Sequence, residues 1–127
     1  MHKFYSSLPG RISLAAIIIF LFSQITLAQD AVQGVVRVKV SETLAARLEQ
    51  AGTARSATGE LTTGVASLDN LNRQFRARQM TRVFPDAGKF EARHRKHGLH
   101  LWYEVRVDKS IPLAQAVQSY QTDQHIL

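Results

Sequence analysis

The side chains best suited to metal chemistry in this sequence are three histidines, His94, His97 and His100, spaced three residues apart. Clustered imidazoles bind zinc, so the spacing raises the question of a metal site. The trio, however, crosses Gly98, where helix-like sequence gives way to an alternating pattern, and no carboxylate stands at a matching ligand spacing. We therefore predict no metal and no cofactor, and we expect the three rings to face solvent or a partner.

Motifs for catalysis are missing from the sequence. There is no cysteine, so thiol catalysis is excluded. The chain has no G-x-S-x-G elbow, no H-E-x-x-H pair and no glycine-rich phosphate loop, and its acidic residues stand singly. These features predict a protein that is not an enzyme, with a hydrolase kept only as a weaker alternative.

Basic residues cluster in the middle of the chain: Arg73, Arg76, Arg78, Arg82, Arg93, Arg95 and Lys96. They could form a patch for an acidic partner, but charges of this kind more often belong to a solvated helix face and loop, which is the interpretation we favour. The neighbouring apolar residues Phe84, Phe90, Leu99 and Leu101 are expected in the core rather than around a ligand.

The chain's single tryptophan lies in an alternating stretch at residues 99–107. Alternation predicts a strand with a buried face and a solvated face. Trp102 falls on the solvated face together with His100, Glu104 and Arg106. Large aromatics on such a face are typical of protein interfaces, although a helix or loop folding over the ring is the alternative. We predict an interface formed by Trp102, His100, Glu104, Arg37 and Lys39, the last two joining if the first and third strands pair.

The surrounding elements alternate between strands and helices. We expect strands at 34–40, 77–84 and 99–107, and helices at 42–52, from Ser67 to 75 and from Ser110 to 120. Ser41, Ser67 and Ser110 are the candidate N-caps, and Gly52 is a C-terminal stop. Two long helices cover only one face of such a sheet, and residues 125–127 look like the start of a fourth strand. We therefore expect a chain that is truncated in its last strand.

Residues 1–28 have the features of a secretory signal peptide. Lys3 and Arg11 precede an apolar run, and Thr26 and Ala28 are suited to a cut between Ala28 and Gln29. An uncleaved anchor is the alternative, because the charge-free run is only marginally long enough to span a bilayer. We expect residues 29–127 to form one exported domain, secreted or periplasmic, with no membrane contact after cleavage.

The net charge of the predicted exported part indicates which class of partner it would bind. Cleavage would remove Lys3 and Arg11, so 14 of the 16 basic residues and all 10 acidic ones remain, a net charge of +4. An exported protein seldom meets nucleic acid, so an acidic protein surface is the expected partner. A domain of about 100 residues without disulfides folds with little margin, which suits a segment that folds against a partner.

Three stretches resemble a known family: "TGVASLDNLNRQF", "MTRVFPDAGKFEARHRKHGLHLWYEVRVD" and "LAQAVQSY". They look like the N-terminal propeptide of secreted bacterial subtilisin-like serine proteases, and the resemblance covers residues 34–127. Its most specific parts are "RVFP", residues 82–85, and "GLHLWYEV", residues 98–105.

The resemblance implies an α+β, ferredoxin-like fold, with helices on one face of an antiparallel sheet. It also implies a monomer whose open sheet face docks on the protease catalytic domain, which is normally part of the same chain. The docked propeptide would act as an intramolecular chaperone and temporary inhibitor. The family's fourth strand, its inhibitory tail and its catalytic Asp, His and Ser have no counterpart here. A small exported binding module with an unrelated partner is the alternative function.

Overall fold

The computed structural model describes residues 32–127. The predicted signal peptide, with its cleavage site between Ala28 and Gln29, lies outside the described residues. Within 32–127, no helix has the length and hydrophobicity needed to cross a bilayer.

Nine α-helices and β-strands occur in the described part of the chain, besides two 3₁₀ turns at Gly88–Phe90 and Leu99–Leu101. In order they are β1 (Val35–Lys39), α1 (Glu42–Ala51), β2 (Ala54–Arg55), β3 (Leu61–Thr62), α2 (Ala66–Gln74), β4 (Gln79–Arg82), α3 (Glu91–Lys96), β5 (Trp102–Arg106) and α4 (Leu113–Gln121). The fold is α+β, as the sequence predicts.

The main sheet is antiparallel, with β5 between β1 and β4. Its register sets Val38 opposite Tyr103, and Val36 and Met80 on either side of Val105. The first and third predicted strands therefore pair directly. These side chains point to one face of the sheet, because side chains opposite one another in a ladder share a side.

The end of the chain pairs with the outer edge of β1. An antiparallel bridge joins Val40 to Ile126, the N–H of Leu127 donates to the carbonyl of Lys39 at 2.7 Å, and that of Ser41 donates to His125 at 2.8 Å. With this segment included, the spatial order is 125–127, β1, β5, β4, which is compatible with a ferredoxin-like sheet.

Local signals explain α1 better than the other helices. The Ser41 hydroxyl accepts from the Leu44 N–H at 3.3 Å, and Gly52, with φ of 67°, ends the helix as predicted. The predicted caps Ser67 and Ser110 were wrong. Ser67 lies inside α2, which begins without a side-chain cap. The Ser110 hydroxyl donates to Asp108, and the N-cap position of α4 is occupied by Pro112, which makes no side-chain capping bond.

The core lies between one sheet face and the helices. Two aromatic rings, Phe75 and Tyr120, stand 5.9 Å apart within it, and the Tyr120 hydroxyl donates to the Asn72 side chain at 2.7 Å. Burial raises the pKa of Tyr120. The buried apolar members are Val36, Val38, Val40, Leu44, Ala45, Leu48, Leu61, Leu68, Phe75, Ala77, Met80, Leu101, Tyr103, Val105, Val107, Ala116 and Tyr120.

The predicted strand at 99–107 begins three residues later than expected. Gly98 adopts a left-handed conformation with φ of 66°, and Leu99–Leu101 form a 3₁₀ turn before β5 starts at Trp102. A 3₁₀ turn repeats every three residues rather than every two, so it breaks the alternation. His100 is consequently only 3% exposed, and its predicted place on the solvated face was wrong.

Candidate interaction surface

The sheet face turned away from the core is the strongest candidate site. Its side chains are Val35, Arg37 and Lys39 from β1, Gln79 and Thr81 from β4, and Trp102, Glu104 and Arg106 from β5. We call these eight residues the open face. Their positions follow from strand alternation, since the residues between them are the ones that enter the core.

Trp102 lies on this open face and keeps 37% of its surface exposed. The register sets Lys39 directly opposite Trp102 and sets Arg37 opposite Glu104. The structure thus brings together four of the five residues predicted from sequence, and excludes His100. A partly exposed indole beside long basic side chains offers a large apolar surface with a charged rim.

The charges on the open face are only partly paired. The Glu104 carboxylate lies 3.4 Å from Arg37 Nε and 4.0 Å from Arg106 Nε, while both guanidinium groups stay mostly in solvent. Exposed pairs of this kind contribute only about 0–1 kcal/mol to stability. With Lys39 added, three basic groups face one carboxylate, and the face is electrostatically suited to an acidic partner surface.

The interface predicted from sequence leaves out three polar members of this face. The alternation of residues 99–107 correctly put Arg106 on the face of Trp102, although Arg106 was not included in the predicted interface. Gln79 and Thr81 could not be found in this way, because their place beside β5 depends on the strand order.

A cavity of about 340 Å³ lies at the Arg106 end of the open face. Val35, Arg37, Glu104 and Arg106 form part of its lining, together with the turn at 32–34. The face is therefore concave at one end and carries the exposed indole at the other, a shape that one protruding element of a partner could fill.

The three histidines belong to different environments. The His100 Nε2 lies 2.9 Å from the exposed carboxylate of Glu42, whereas His94 faces Glu91 at 3.9 Å and His97 is exposed at the end of α3. In residues 32–127, no three His, Asp or Glu side chains are grouped as a metal site would require. The three histidines are spread over α3, its C-cap and the following 3₁₀ turn, so their even spacing in sequence does not bring the rings together.

Much of the basic cluster is engaged in ion pairs. Arg82 contacts Glu91 at 3.0 Å, and Arg95 contacts Glu49 at 2.8 Å, which links β4, α3 and α1. The Ala87 backbone N–H and the Arg82 guanidinium hold the pKa of Glu91 below its usual value. These arginines stabilise contacts between elements on the core side of the sheet.

Two aromatic residues expected in the core are instead exposed. Phe84 and Phe90 keep 38% and 51% of their surface in solvent. Lys89 Nζ lies 5.0 Å from the centre of the Phe90 ring, within the range of a cation–π contact. The expectation failed because both residues lie in the connection between β4 and α3: Phe84 is in a bend, and Phe90 ends a short 3₁₀ turn (Gly88–Phe90) that has no buried residue.

The comparison with protein families gives one match. The model described as "N-terminal of Subtilase family" covers residues 36–122, from β1 to just after α4. The match includes every residue of the open face except Val35. No curated protein and no solved structure matches the chain.

Proposed function

The chain belongs to the family of subtilase N-terminal domains, and from this premise we propose that it is a propeptide that docks on a subtilisin-like catalytic domain as folding chaperone and temporary inhibitor. Docking uses the open face, with Trp102 as the central contact. We assign no catalytic role to any of residues 29–127.

One observation carries this proposal beyond the family match. The single tryptophan of the chain stays partly exposed on a sheet face whose opposite side is fully packed. Leaving an indole in water is unfavourable, and covering it on binding recovers that free energy. Tryptophan is also enriched among the residues whose truncation costs a complex at least about 2 kcal/mol.

The physical basis of chaperone action is selective binding. A surface that binds the native protease domain and not its unfolded chain shifts the folding equilibrium by mass action. A stable interface of standard size covers about 800 Å² on each partner, more than one side chain provides. We therefore assign the contact to the whole open face, with Arg37, Lys39 and Arg106 setting its orientation on an acidic surface.

The experiment is a refolding assay on a denatured subtilase catalytic domain, with and without the secreted chain. We expect a higher yield of active protease at low chain concentration and inhibition of the folded enzyme at higher concentration. Trp102→Ala should weaken inhibition about thirty-fold or more, as expected for loss of a central aromatic contact.

Phe90→Ala is the matched control, because it removes an aromatic ring that is also exposed but lies outside the open face. It should leave yield and inhibition within about two-fold of the unsubstituted chain. If both variants act alike, or the folded chain affects neither yield nor activity, docking through the open face is refuted. A folded chain with no effect would instead favour an exported module with an unrelated partner.

Export is a separate part of the proposal. We propose that residues 1–28 are a signal peptide and that cleavage follows Ala28, which puts the working domain outside the cytoplasm. Mass spectrometry of the chain released by a secreting host should find Gln29 as the first residue. An intact Met1 in the membrane fraction would contradict this and favour an anchor.

A further inference from the structure

A second cavity, of about 330 Å³, lies away from the open face. It is formed where the turn between β2 and β3 meets the C-terminal end of α2. Four arginines contribute to its lining, Arg55, Arg73, Arg76 and Arg78, together with Glu60 and Asn72. None of these six residues belongs to the open face, so the docking surface does not account for them.

The charge in this cavity is unbalanced. Arg73 lies 3.2 Å from Glu60, and Arg76 lies 3.7 Å from Asp108, with both guanidinium groups largely in solvent. Arg55 donates to the backbone carbonyl of Arg78 at 2.9 Å. Within residues 32–127, neither Arg55 nor Arg78 forms an ion pair. Four arginines thus line one cavity with a single acidic residue, Glu60, and a bound anion would balance part of that positive charge.

A buried donor without a partner marks the same cavity. Asn72 is only 2% exposed, and its side-chain oxygen accepts from Tyr120. Its Nδ2 group has no hydrogen-bond partner within the described residues. Buried amide donors are nearly always satisfied in folded proteins, so an unpaired one at a cavity points to a missing acceptor.

The backbone at the rim is also unusual. Arg76 adopts a left-handed conformation, φ of 50°, and is the only residue other than glycine to do so in 32–127. This position after a helix normally favours glycine, because a Cβ atom there is unfavourable. An arginine at a strained position, lining a cavity with three other arginines, is consistent with a binding role for its guanidinium.

We propose that this cavity binds a small oxyanion, a phosphate or carboxylate group, held by Arg76 and Arg78 with the Asn72 amide as a further donor. Guanidinium groups suit such ligands because their paired N–H groups match two oxygens of one anion. Ligand binding here goes beyond docking on a protease, and each can fail without the other.

The test is a titration of the whole chain with inorganic phosphate and, separately, with citrate, at ionic strength held constant with potassium chloride. Nuclear magnetic resonance should show saturable shifts of the Asn72 side-chain amide and of the arginine Nε–H signals. Saturation by phosphate assigns a phosphate-type ligand, saturation by citrate assigns a carboxylate ligand, and saturation by both leaves the shared oxyanion chemistry. Any of the three supports the site.

Arg78→Gln should weaken binding about ten-fold, the usual cost of losing one charge-assisted contact. Arg93→Gln is the matched control, because it removes the same charge from an exposed arginine outside the cavity, and it should change affinity by less than about two-fold. Arg76→Gln is a second variant with the same expectation as Arg78→Gln, should the latter not fold. Shifts that never saturate, or an equal loss in the Arg93 control, would overturn the proposal.

Discussion

The side chain of Tyr120 shows how a single buried polar contact specifies this small core. Its ring packs on Phe75, and its hydroxyl crosses from α4 to α2 to reach Asn72 at 2.7 Å. Asn72 is itself buried, and the Tyr120 hydroxyl is the donor that satisfies its side-chain oxygen. The contact therefore ties the last helix to the second in one arrangement.

Replacing Tyr120 should show how much this hydrogen bond contributes to the free energy of unfolding. We expect Tyr120→Phe to lower the free energy of unfolding by about 1–2 kcal/mol, because the Asn72 oxygen loses its donor and stays buried. Tyr103→Phe is the matched control, since Tyr103 is also buried but its hydroxyl forms no hydrogen bond within residues 32–127. Urea unfolding of the two variants measures the difference, and equal losses would contradict the assignment.

At the level of elements, the turn before β1 places this strand against β5. Gly34 has φ of 77°, and its carbonyl accepts from the Val107 N–H at 2.9 Å. A Cβ atom there would lie 3.0 Å from the Val107 carbonyl oxygen and 2.9 Å from Lys109 Cγ. Only glycine avoids both the strained backbone and the close approach.

Gly34→Ala should therefore destabilise the chain by about 2–3 kcal/mol through strain and crowding together. Gly59→Ala is the control for the backbone alone, because Gly59 has φ of 81° but nothing within 4 Å of a Cβ atom. We expect that control to lose only about 1 kcal/mol, the cost of a positive φ in a residue other than glycine. Urea unfolding measures both losses, and a larger loss in the Gly59 variant would contradict the crowding argument.

The ion pairs that join β4, α3 and α1 predict a pH dependence. The pKa of Glu91 is lowered by the Ala87 N–H and by Arg82, from a usual value of 4.5. A carboxylate with a lowered folded-state pKa contributes stability above its unfolded pKa and loses it as the pH falls through the folded one. We therefore expect the free energy of unfolding to fall below about pH 4.5.

Glu91→Gln should flatten that acid decline, because the variant has no proton to take up at this position. Glu60→Gln is the control, since its carboxylate contacts one largely exposed guanidinium and contributes little to stability. Urea unfolding between pH 3 and pH 7 measures both curves. An unchanged acid slope in Glu91→Gln would show that other carboxylates carry the effect.

At the scale of the whole domain, the two sides of the main sheet differ in chemistry. Within residues 32–127, one side packs on a core with seventeen buried apolar residues, and the other presents Trp102 with three basic side chains. The domain has no cysteine and hence no disulfide to add to this modest core. A partner that covers the open face should therefore change the stability of the whole chain.

We expect an active-site-blocked subtilase catalytic domain to raise the melting temperature of the chain, because it binds only the folded form. At a hundred-fold excess over Kd the gain is about 2.7 kcal/mol. If this chain is labelled with 5-fluorotryptophan and the protease domain is left unlabelled, Trp102 is the single fluorine reporter. Its fluorine resonance then reports both the unfolding of the chain and its docking. An unchanged melting temperature and resonance would contradict docking at this face.

Local sequence was sufficient for the features that depend on neighbouring residues. The cap at Ser41, the stop at Gly52, the strand around Tyr103 and the side of Trp102 in it all follow from short-range pattern and turn chemistry. The family resemblance was likewise visible in the sequence and is confirmed by the match over 36–122.

Tertiary structure decided what depends on residues far apart in the chain. Gly98 and the turn after it took His100 out of the strand pattern, and the strand order brought Gln79 and Thr81 beside β5. The cavity arginines come from β2, from the end of α2 and from the segment after it, and no spacing along the chain predicts that they line one cavity. Sequence pattern determines which face a side chain occupies within an element, but contacts between elements depend on how packing closes the chain around one core.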